Sequence, residues 1–189
     1  MAGRKKRVAD LTRAMRRHDC LRLERRIKGC DSLDAYVVAI GSKWVLLAVP
    51  TDGSPDGYVA VRIDDIKGLY WDPSNRFVRR SLQAQSVWPL EAPRHPIDLD
   101  HGVQQLVDSI AAHSDLVTIH PELRRTNVCY IGRPHKWGRR NLRLHEVDIE
   151  GRWKPKAQRH RTDTITRVDF GRTYEKNLAI VAGPQPHLR

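Results

Sequence analysis

The segment TITRVDFGRTYEKNL, residues 164–178, decides the fold, because it repeats the pattern of IDDIKGLYWDPSNRFVRRSL, residues 63–82. Ile165, Val168 and Phe170 have the same spacing as Ile66, Leu69 and Trp71, 99 positions earlier. We interpret each segment as the last strand of a repeated unit, in which Val168 and Phe170, like Leu69 and Trp71, face inwards. Tyr174 and Phe77 are then predicted to pack where each unit ends.

Other segments correspond in the same order along the chain. Leu11 and Met15 correspond to Leu106 and Ile110 at an offset of 95, and AYVVAIG (35–41) corresponds to TNVCYIG (126–132) at an offset of 91. Small changes of offset place the length differences in loops. We therefore predict a duplicated unit of one helix followed by strands. The alternative is chance similarity among amphipathic strands.

Hydrophobic periodicity predicts the elements of each unit. Apolar residues at helical spacing predict a first helix at residues 8–18, and Asp100 is placed to cap the helix of the second half. Short apolar or alternating runs rich in β-branched residues predict strands. These runs are 21–27, 35–41, 43–49, 58–63 and 66–71 in the first half, and 116–120, 127–132, 141–147, 158–162 and 164–170 in the second.

The predicted fold is mainly β (α+β): two tandem small Sm/SH3-like β-barrels, each preceded by a short helix. Three prolines between residues 86 and 96 indicate a linker. We place the first unit at 1–84, the linker at 85–99 and the second unit at 100–189. A closed barrel is favoured because it removes the exposed edges of short strands.

A leading helix followed by five strands, with a glycine near the end of the second strand, resembles the Sm-like small barrel, including bacterial Sm-like RNA chaperones. In that family a loop with Asp or Asn between the second and third strands, and an Arg-Gly pair near the turn between the fourth and fifth, hold RNA. The resemblance implies such roles for Asn141, Gly171 and Arg172 in the second half. The first half offers Gly41, Ser42 and Lys43, then Lys67 and Gly68.

A second resemblance is local. The stretch SKWVLLAVPTDGSPDGYVAVRIDDIKGL, residues 42–69, resembles the core of the WYL domain of bacterial transcription regulators. Trp44, Val45 and Leu46 stand where that family has its Trp-Tyr-Leu triplet, and residues 62–66 resemble its Arg-Leu-Asp-x-Ile segment. This resemblance implies a small-ligand sensor.

The distribution of charge indicates a polyanionic partner. The net charge is +12 over 189 residues, divided into +8 for residues 1–30, −6 for 31–123 and +10 for 124–189. Two basic ends attract polyanions, of which nucleic acid is the most common. A surface that only keeps the protein soluble is the alternative.

The sequence also indicates a cytoplasmic, soluble protein with no bound cofactor, metal or membrane. The basic N-terminus does not lead into an apolar segment, and no run is long enough to span a bilayer. The three cysteines form no C-x-x-C pair, so neither a zinc ribbon nor a disulfide framework is predicted.

Two groups of basic residues are the candidate nucleic-acid site. The first lies in loops of the second half, where cations surround Trp137 and Trp153: Lys136, Arg139, Arg140, Arg143, Arg152, Lys154, Lys156, Arg159 and Arg161. Cations bind phosphates, and an exposed indole can stack on a base, so single-stranded or structured RNA is favoured over DNA. The second is a disordered arm and the basic helix face: Arg4, Lys5, Lys6, Arg7, Arg13, Arg16 and Arg17.

Catalytic motifs are absent from the sequence. Phosphate-binding glycine loops and nucleophile elbows do not occur. His95, Asp98, Asp100 and His101 could hold a metal, and Asp64 and Asp65 could act as paired carboxylates, but a helix cap and a turn explain them equally well.

The sequence thus predicts a non-enzymatic nucleic-acid-binding protein. The alternative is a protein-interaction or regulatory module that self-associates or binds an acidic partner. An enzyme or WYL-like ligand sensor is a third possibility.

Overall fold

The computed structural model describes residues 2–71 and 76–187. These residues form ten β-strands and four α-helices, so the chain is mainly β, as predicted. All ten strands belong to one antiparallel sheet.

The two halves have the same sequence of elements. The first half contains α1 (Ala2–Arg17), β1 (Cys20–Arg25), β2 (Leu33–Ile40), β3 (Trp44–Thr51), β4 (Ser54–Arg62), β5 (Ile66–Trp71) and α2 (Arg76–Ala84). The second half contains α3 (Val103–Ala111), β6 (Val117–His120), β7 (Tyr130–Gly138), β8 (Asn141–Glu146), β9 (Gln158–Arg161), β10 (Arg167–Phe170) and α4 (Thr173–Ala182). A 3-10 turn joins the fourth strand to the fifth in each half, at Ile63–Asp65 and Thr162–Thr164.

The topology of the sheet is duplicated as well. The strand order is β5-β1-β2-β3-β4-β10-β6-β7-β8-β9, so each half has its fifth strand first and its fourth strand last. The register shifts between Val37 and Ala39 in β2, and again between Pro134 and Lys136 in β7, 97 positions later. An irregularity at equivalent places in both halves shows that the backbones of β2 and β7 correspond.

The prediction of two tandem small barrels is not confirmed, because the sheet does not close into a barrel. β4 pairs with β10 of the other half, with Ala60 opposite Val168 and Tyr58 opposite Phe170. In the described residues, β5 and β9 are the two ends of the sheet. The two halves therefore share one continuous sheet through the β4–β10 pair.

The two largest hydrophobic cores among the described residues lie along this sheet. The first is built by α1 and the first-half strands, from residues including Leu11, Val45, Leu47 and Val61. The second is built by α3 and the second-half strands, and it also includes Leu46 and Ala60 from the opposite face of β3 and β4. The central part of the β3–β4 pair is therefore buried on both faces, and the apolar runs at 44–49 and 58–61 are typical of such strands.

Buried polar contacts join the halves beside the shared strands. Arg25 of β1 forms an ion pair with Glu122, and both side chains are almost fully buried. The hydroxyl of Thr166 donates a hydrogen bond to the same carboxylate over 2.5 Å. Nearby, the Arg172 guanidinium lies 3.0 Å from the Asp56 carboxylate. The Arg25–Glu122 and Arg172–Asp56 contacts join residues of different halves and so fix how the halves meet, whereas the Thr166 hydrogen bond orients Glu122 within the second half.

Several local predictions were wrong. The basic N-terminal segment, predicted as a disordered arm, is helical from Ala2. Residues 132–138, which belong to the segment predicted as a basic loop, form the second part of β7. Trp71, predicted to face inwards, is 63% exposed, whereas Phe170 is buried as predicted. Phe77 and Tyr174, predicted to pack where each unit ends, are 69% and 54% exposed.

The predicted linker packs against the first half. The N–H groups of Lys43 and Trp44 both donate to the carbonyl of Leu99, over 3.1 and 2.9 Å. Asp100 does not cap α3; its carboxylate accepts the N–H of Ser42 over 2.6 Å. The acid that was predicted to begin a helix instead ties this segment to the turn between β2 and β3.

Candidate nucleic-acid interface

Three cations stand side by side on the outer face of the second half. Lys136 of β7 lies opposite Arg143 of β8, and Arg143 lies opposite Arg159 of β9. All three are exposed, whereas Leu142 and Leu144, which alternate with Arg143, are fully buried. Like charges directly opposite each other destabilise a sheet. We call Lys136, Arg143 and Arg159 the basic row.

A cleft of about 670 Å³ adjoins the basic row. Its walls come from the tight turn between β7 and β8, from β9, and from the segment that follows β6. The lining residues are Arg124, Arg139, Arg140, Asn141, Arg159 and Arg161. We call this the arginine cleft. Five guanidinium groups around one space can offer paired donors to several phosphate oxygens.

Most of these cations are not neutralised by the protein. Within the part of the chain that the structure describes, Arg161 is the cleft arginine that forms an ion pair, with the Asp163 carboxylate at 2.5 Å. Both side chains are largely exposed, and the hydrogen bond from Arg161 lowers the pKa of Asp163. The other four cleft arginines form no ion pair among the described residues, so the cleft attracts anions.

A smaller pocket of about 180 Å³ continues from the cleft, between β9 and residues 121–125. It shares three arginines with the cleft, Arg124, Arg159 and Arg161, and its other walls include Tyr130, Glu146, Lys154 and His160. We call this the inner pocket. Unlike the cleft, it combines a carboxylate with cations, and its lining is largely polar.

The two tryptophans do not present the exposed rings that the sequence suggested. Trp137 is half-buried against the second core, and its indole N–H donates to Asp108 over 2.8 Å. Trp153 is half-buried beside α4, and its N–H donates to the carbonyl of Gly183 over 3.2 Å. Both rings serve packing, so we leave them out of the site.

The other predicted residues of the second half lie outside the arginine cleft. Arg152 forms ion pairs with Asp148 and Glu150, at 3.1 and 2.5 Å. Lys154 is paired with Glu146 at 2.5 Å, and Lys156 is exposed in the loop before β9. The cleft thus gathers Arg139, Arg140, Arg159 and Arg161 from the predicted set.

Arg124 is the cleft residue that sequence reasoning missed. It is exposed in the segment after β6, where its N–H donates to the carbonyl of Pro121 over 2.9 Å. The Arg124-Arg125 pair marks the start of the basic C-terminal third, and this pair could have indicated from the sequence that Arg124 belongs to the site. Only folding brings this turn beside β9, some 35 residues later in the chain.

The basic residues of α1 form a separate surface, because none of them lines the cleft. Four of them have acidic partners: Arg4 and Arg7 face Asp64, Arg13 faces Asp10, and Arg17 faces Asp19. The other three, Lys5, Lys6 and Arg16, are exposed and form no ion pair among residues 2–71 and 76–187. The helix is therefore a weaker candidate than the cleft.

Other kinds of site find no support in the described part of the chain. It contains no group of three His, Cys, Asp or Glu side chains placed to hold a metal ion. His101 instead faces Asp98 at 2.9 Å, and Asp64 faces Arg4. No helix among the described residues has the length and apolar character needed to cross a membrane.

Comparisons with protein-family models, with curated proteins and with solved structures find no match to this chain. Its function is therefore argued from its own surface, of which the basic row and the arginine cleft are the most distinctive parts.

Proposed function

We propose that this protein binds single-stranded nucleic acid, preferring RNA, through the basic row and the arginine cleft. The observation that carries the proposal is the basic row itself. Three cations placed directly opposite one another cost stability, and no acidic side chain of the described residues pairs with them. A chain of phosphates would neutralise the row and release counterions in doing so.

The position of the cleft also supports RNA. It is formed by the turn between the second and third strands of the second half and by the end of its fourth strand, and Asn141 lies in it. These are the places where the Sm-like resemblance implies RNA contacts. Gly171 and Arg172 are not part of the cleft, and Arg172 is bound to Asp56.

A single strand is favoured over a duplex because the site is a sheet face beside a cleft, not a helix that could enter a groove. Because both tryptophans are half-buried, we expect the arginines to stack on bases, since their planar guanidinium groups can lie on a base. Arg139 and Arg140, exposed at the tip of the turn, are the best placed for this role.

We also propose that each half is an Sm-like unit left open at its fourth strand. The repeated strand order and the 3-10 turn before each fifth strand support this view. In the first unit, β10 covers the open edge. In the second unit, that edge borders the cleft.

The test is binding of fluorescently labelled single-stranded RNA, followed by anisotropy over a range of salt concentrations. The variant K136Q/R143Q/R159Q removes the basic row, and K5Q/K6Q/R16Q removes the same charge from α1. We expect the row variant to lose at least about tenfold in affinity and about two units of the salt slope, since each lost phosphate contact removes roughly 0.7. We expect less than about threefold from the α1 variant.

Equal losses in the two variants would contradict the proposal, because they would show a response to net charge alone. A larger loss in the α1 variant would move the site to the helix. Polyglutamate is the competitor that tests the alternative acidic partner. If it displaces RNA as well as unlabelled RNA does, the surface is a general polyanion site and not a nucleic-acid site.

A further inference from the structure

The floor of the inner pocket is a carboxylate held in a fixed orientation. One oxygen of Glu146 lies 2.7 Å from Nε2 of His160, and the other lies 2.5 Å from Nζ of Lys154. Burial would raise the pKa of Glu146, but the hydrogen bonds from His160 and Lys154 bring it below its usual value. The group is therefore ionised at neutral pH. Each of its oxygens has a further lone pair that can accept a hydrogen bond.

One wall of the inner pocket is a flat ring. Tyr130 packs against the imidazole of His160 with ring centres 4.4 Å apart, and it is half-buried against the second core. The opening of the pocket is lined by arginines shared with the cleft. A small space with a flat wall, a polar floor and a cationic opening suits a planar polar ring attached to a phosphate.

The duplicated topology explains why this space is open. In the first half the edge of the fourth strand, β4, is covered by β10. The equivalent strand of the second half, β9, is the end of the sheet in the described residues. The inner pocket lies beside this uncovered edge, where the first half has a paired strand.

We propose that the inner pocket receives one base of the single strand whose phosphates lie in the arginine cleft, and that the base is guanine. Only guanine presents two adjacent donors, N1–H and the N2 amino group, to a carboxylate. Adenine and cytosine place an acceptor beside their amino group, and uracil has carbonyls on both sides of its N–H, so each brings an acceptor against Glu146. This inference rests on the proposed function.

The test uses four uridine RNAs of equal length with G, A, C or U at the centre, measured by anisotropy at one salt concentration. We expect the RNA with guanine to bind about tenfold or more tightly than the others, as for a bidentate base contact. Equal binding by all four would overturn the base pocket and leave the proposed function intact. If none of them binds, the proposed function fails, and the base pocket fails with it.

Variants then locate the preference. Glu146→Gln keeps the shape of the side chain but places an amide donor on the floor, so the G-to-U ratio of affinities should fall toward one. Glu150→Gln is the matched control, because Glu150 is exposed and pairs with Arg152 outside the pocket. A ratio that survives Glu146→Gln overturns the proposal.

Because Glu146 is buried, folding of each variant is verified by thermal unfolding before binding is compared. Tyr130→Leu is the second variant, since it retains apolar volume but removes the flat wall. It should lower the affinity for the guanine RNA more than for the uridine RNA. An equal loss for both RNAs would contradict a base stacked on Tyr130.

Discussion

The outer faces of the two halves have equivalent strands, but one face carries charged side chains and the other carries apolar side chains. The basic row of Lys136, Arg143 and Arg159 corresponds in register to Ala39, Leu46 and Ala60, which lie opposite one another on β2, β3 and β4. We call these three the apolar row. Leu46 and Ala60 are buried in the second core, whereas all members of the basic row are exposed.

The difference shows that the fold does not require charge at these positions. The apolar row is covered because the second half packs on it, whereas no element of the described residues covers the basic row. Exposed charge on this face also opposes association with other chains, and Arg159 lies on the end strand β9. The row therefore has two possible uses, binding polyanions and preventing association, and the predictions below separate them.

The largest effect is expected where a charge of the basic row is moved into the apolar row. Leu46→Arg places an unpaired cation in the second core, which should cost about 5 kcal/mol or more, comparable to the whole stability of a small protein. Urea denaturation followed by circular dichroism measures it. The reciprocal change, Arg143→Leu, should alter the free energy of unfolding by less than about 0.5 kcal/mol. If the two substitutions changed the free energy of unfolding by similar amounts, the apolar row and the basic row would not differ in burial.

A second matched pair compares the fifth strands. Phe170 is buried and stacks on Tyr58 with ring centres 5.3 Å apart, whereas its equivalent Trp71 is 63% exposed. Phe170→Ala should destabilise the protein by about 3 to 5 kcal/mol, and Trp71→Ala by about 0.5 kcal/mol or less. Chemical denaturation gives both values. A large loss from Trp71→Ala would show that this residue is covered in solution.

Acid should weaken the junction between the halves. Hydrogen bonds from the Thr173 N–H, Thr51 and Arg172 outweigh burial and lower the pKa of Asp56 to about 2. Because the folded-state pKa lies below the unfolded value near 3.9, this contribution is present above about pH 4 and is lost as the pH falls toward 2.

Asp56→Asn should therefore cost about 2 kcal/mol at neutral pH and flatten the decline of stability in acid. The free energy of unfolding, measured from pH 6 down to about pH 2, checks this. Asp163→Asn is the control, since Asp163 is exposed and pairs within the second half. An unchanged pH profile in Asp56→Asn would assign the acid sensitivity to other carboxylates.

Only a small change in stability is expected from converting the whole basic row into the apolar one. K136A/R143L/R159A should change the free energy of unfolding by less than about 1.5 kcal/mol in total, because all three sites are exposed. It should lose RNA binding and begin to associate, as light scattering would show. If the variant associates but still binds RNA, the basic row serves only to prevent association between copies of the protein.

Much of the fold could be predicted from the sequence because period-two alternation and β-branched runs report directly on strands. All ten strands lie within or overlap the predicted segments, and the offset of 99 relates the two fifth strands correctly. The helices α2 and α4 were missed, because the segments that follow the two fifth strands were interpreted only as the ends of the two units. The basic loop before β8 was misread because Pro134 and Gly138 interrupt a strand that is irregular there.

The candidate site was only partly predictable. Clusters of Arg and Lys are visible in the sequence, so Arg139, Arg140, Arg159 and Arg161 could be named in advance. Whether Trp137 is exposed depends on Asp108, which lies on another element. Arg124 and the inner pocket depend on segments that only the folded sheet brings together.

The sequence by itself determined the strands, the duplication and the basic character of the second half, because these follow from local periodicity, from self-similarity and from residue counts. Tertiary structure alone decided how the halves join. β4 pairs with β10, although the two strands lie far apart in the chain and other strand edges are similar. No local sequence pattern specifies which two edges pair. That choice buries Leu46 and leaves Arg143 exposed, so it also decides which of two equivalent faces is free to bind.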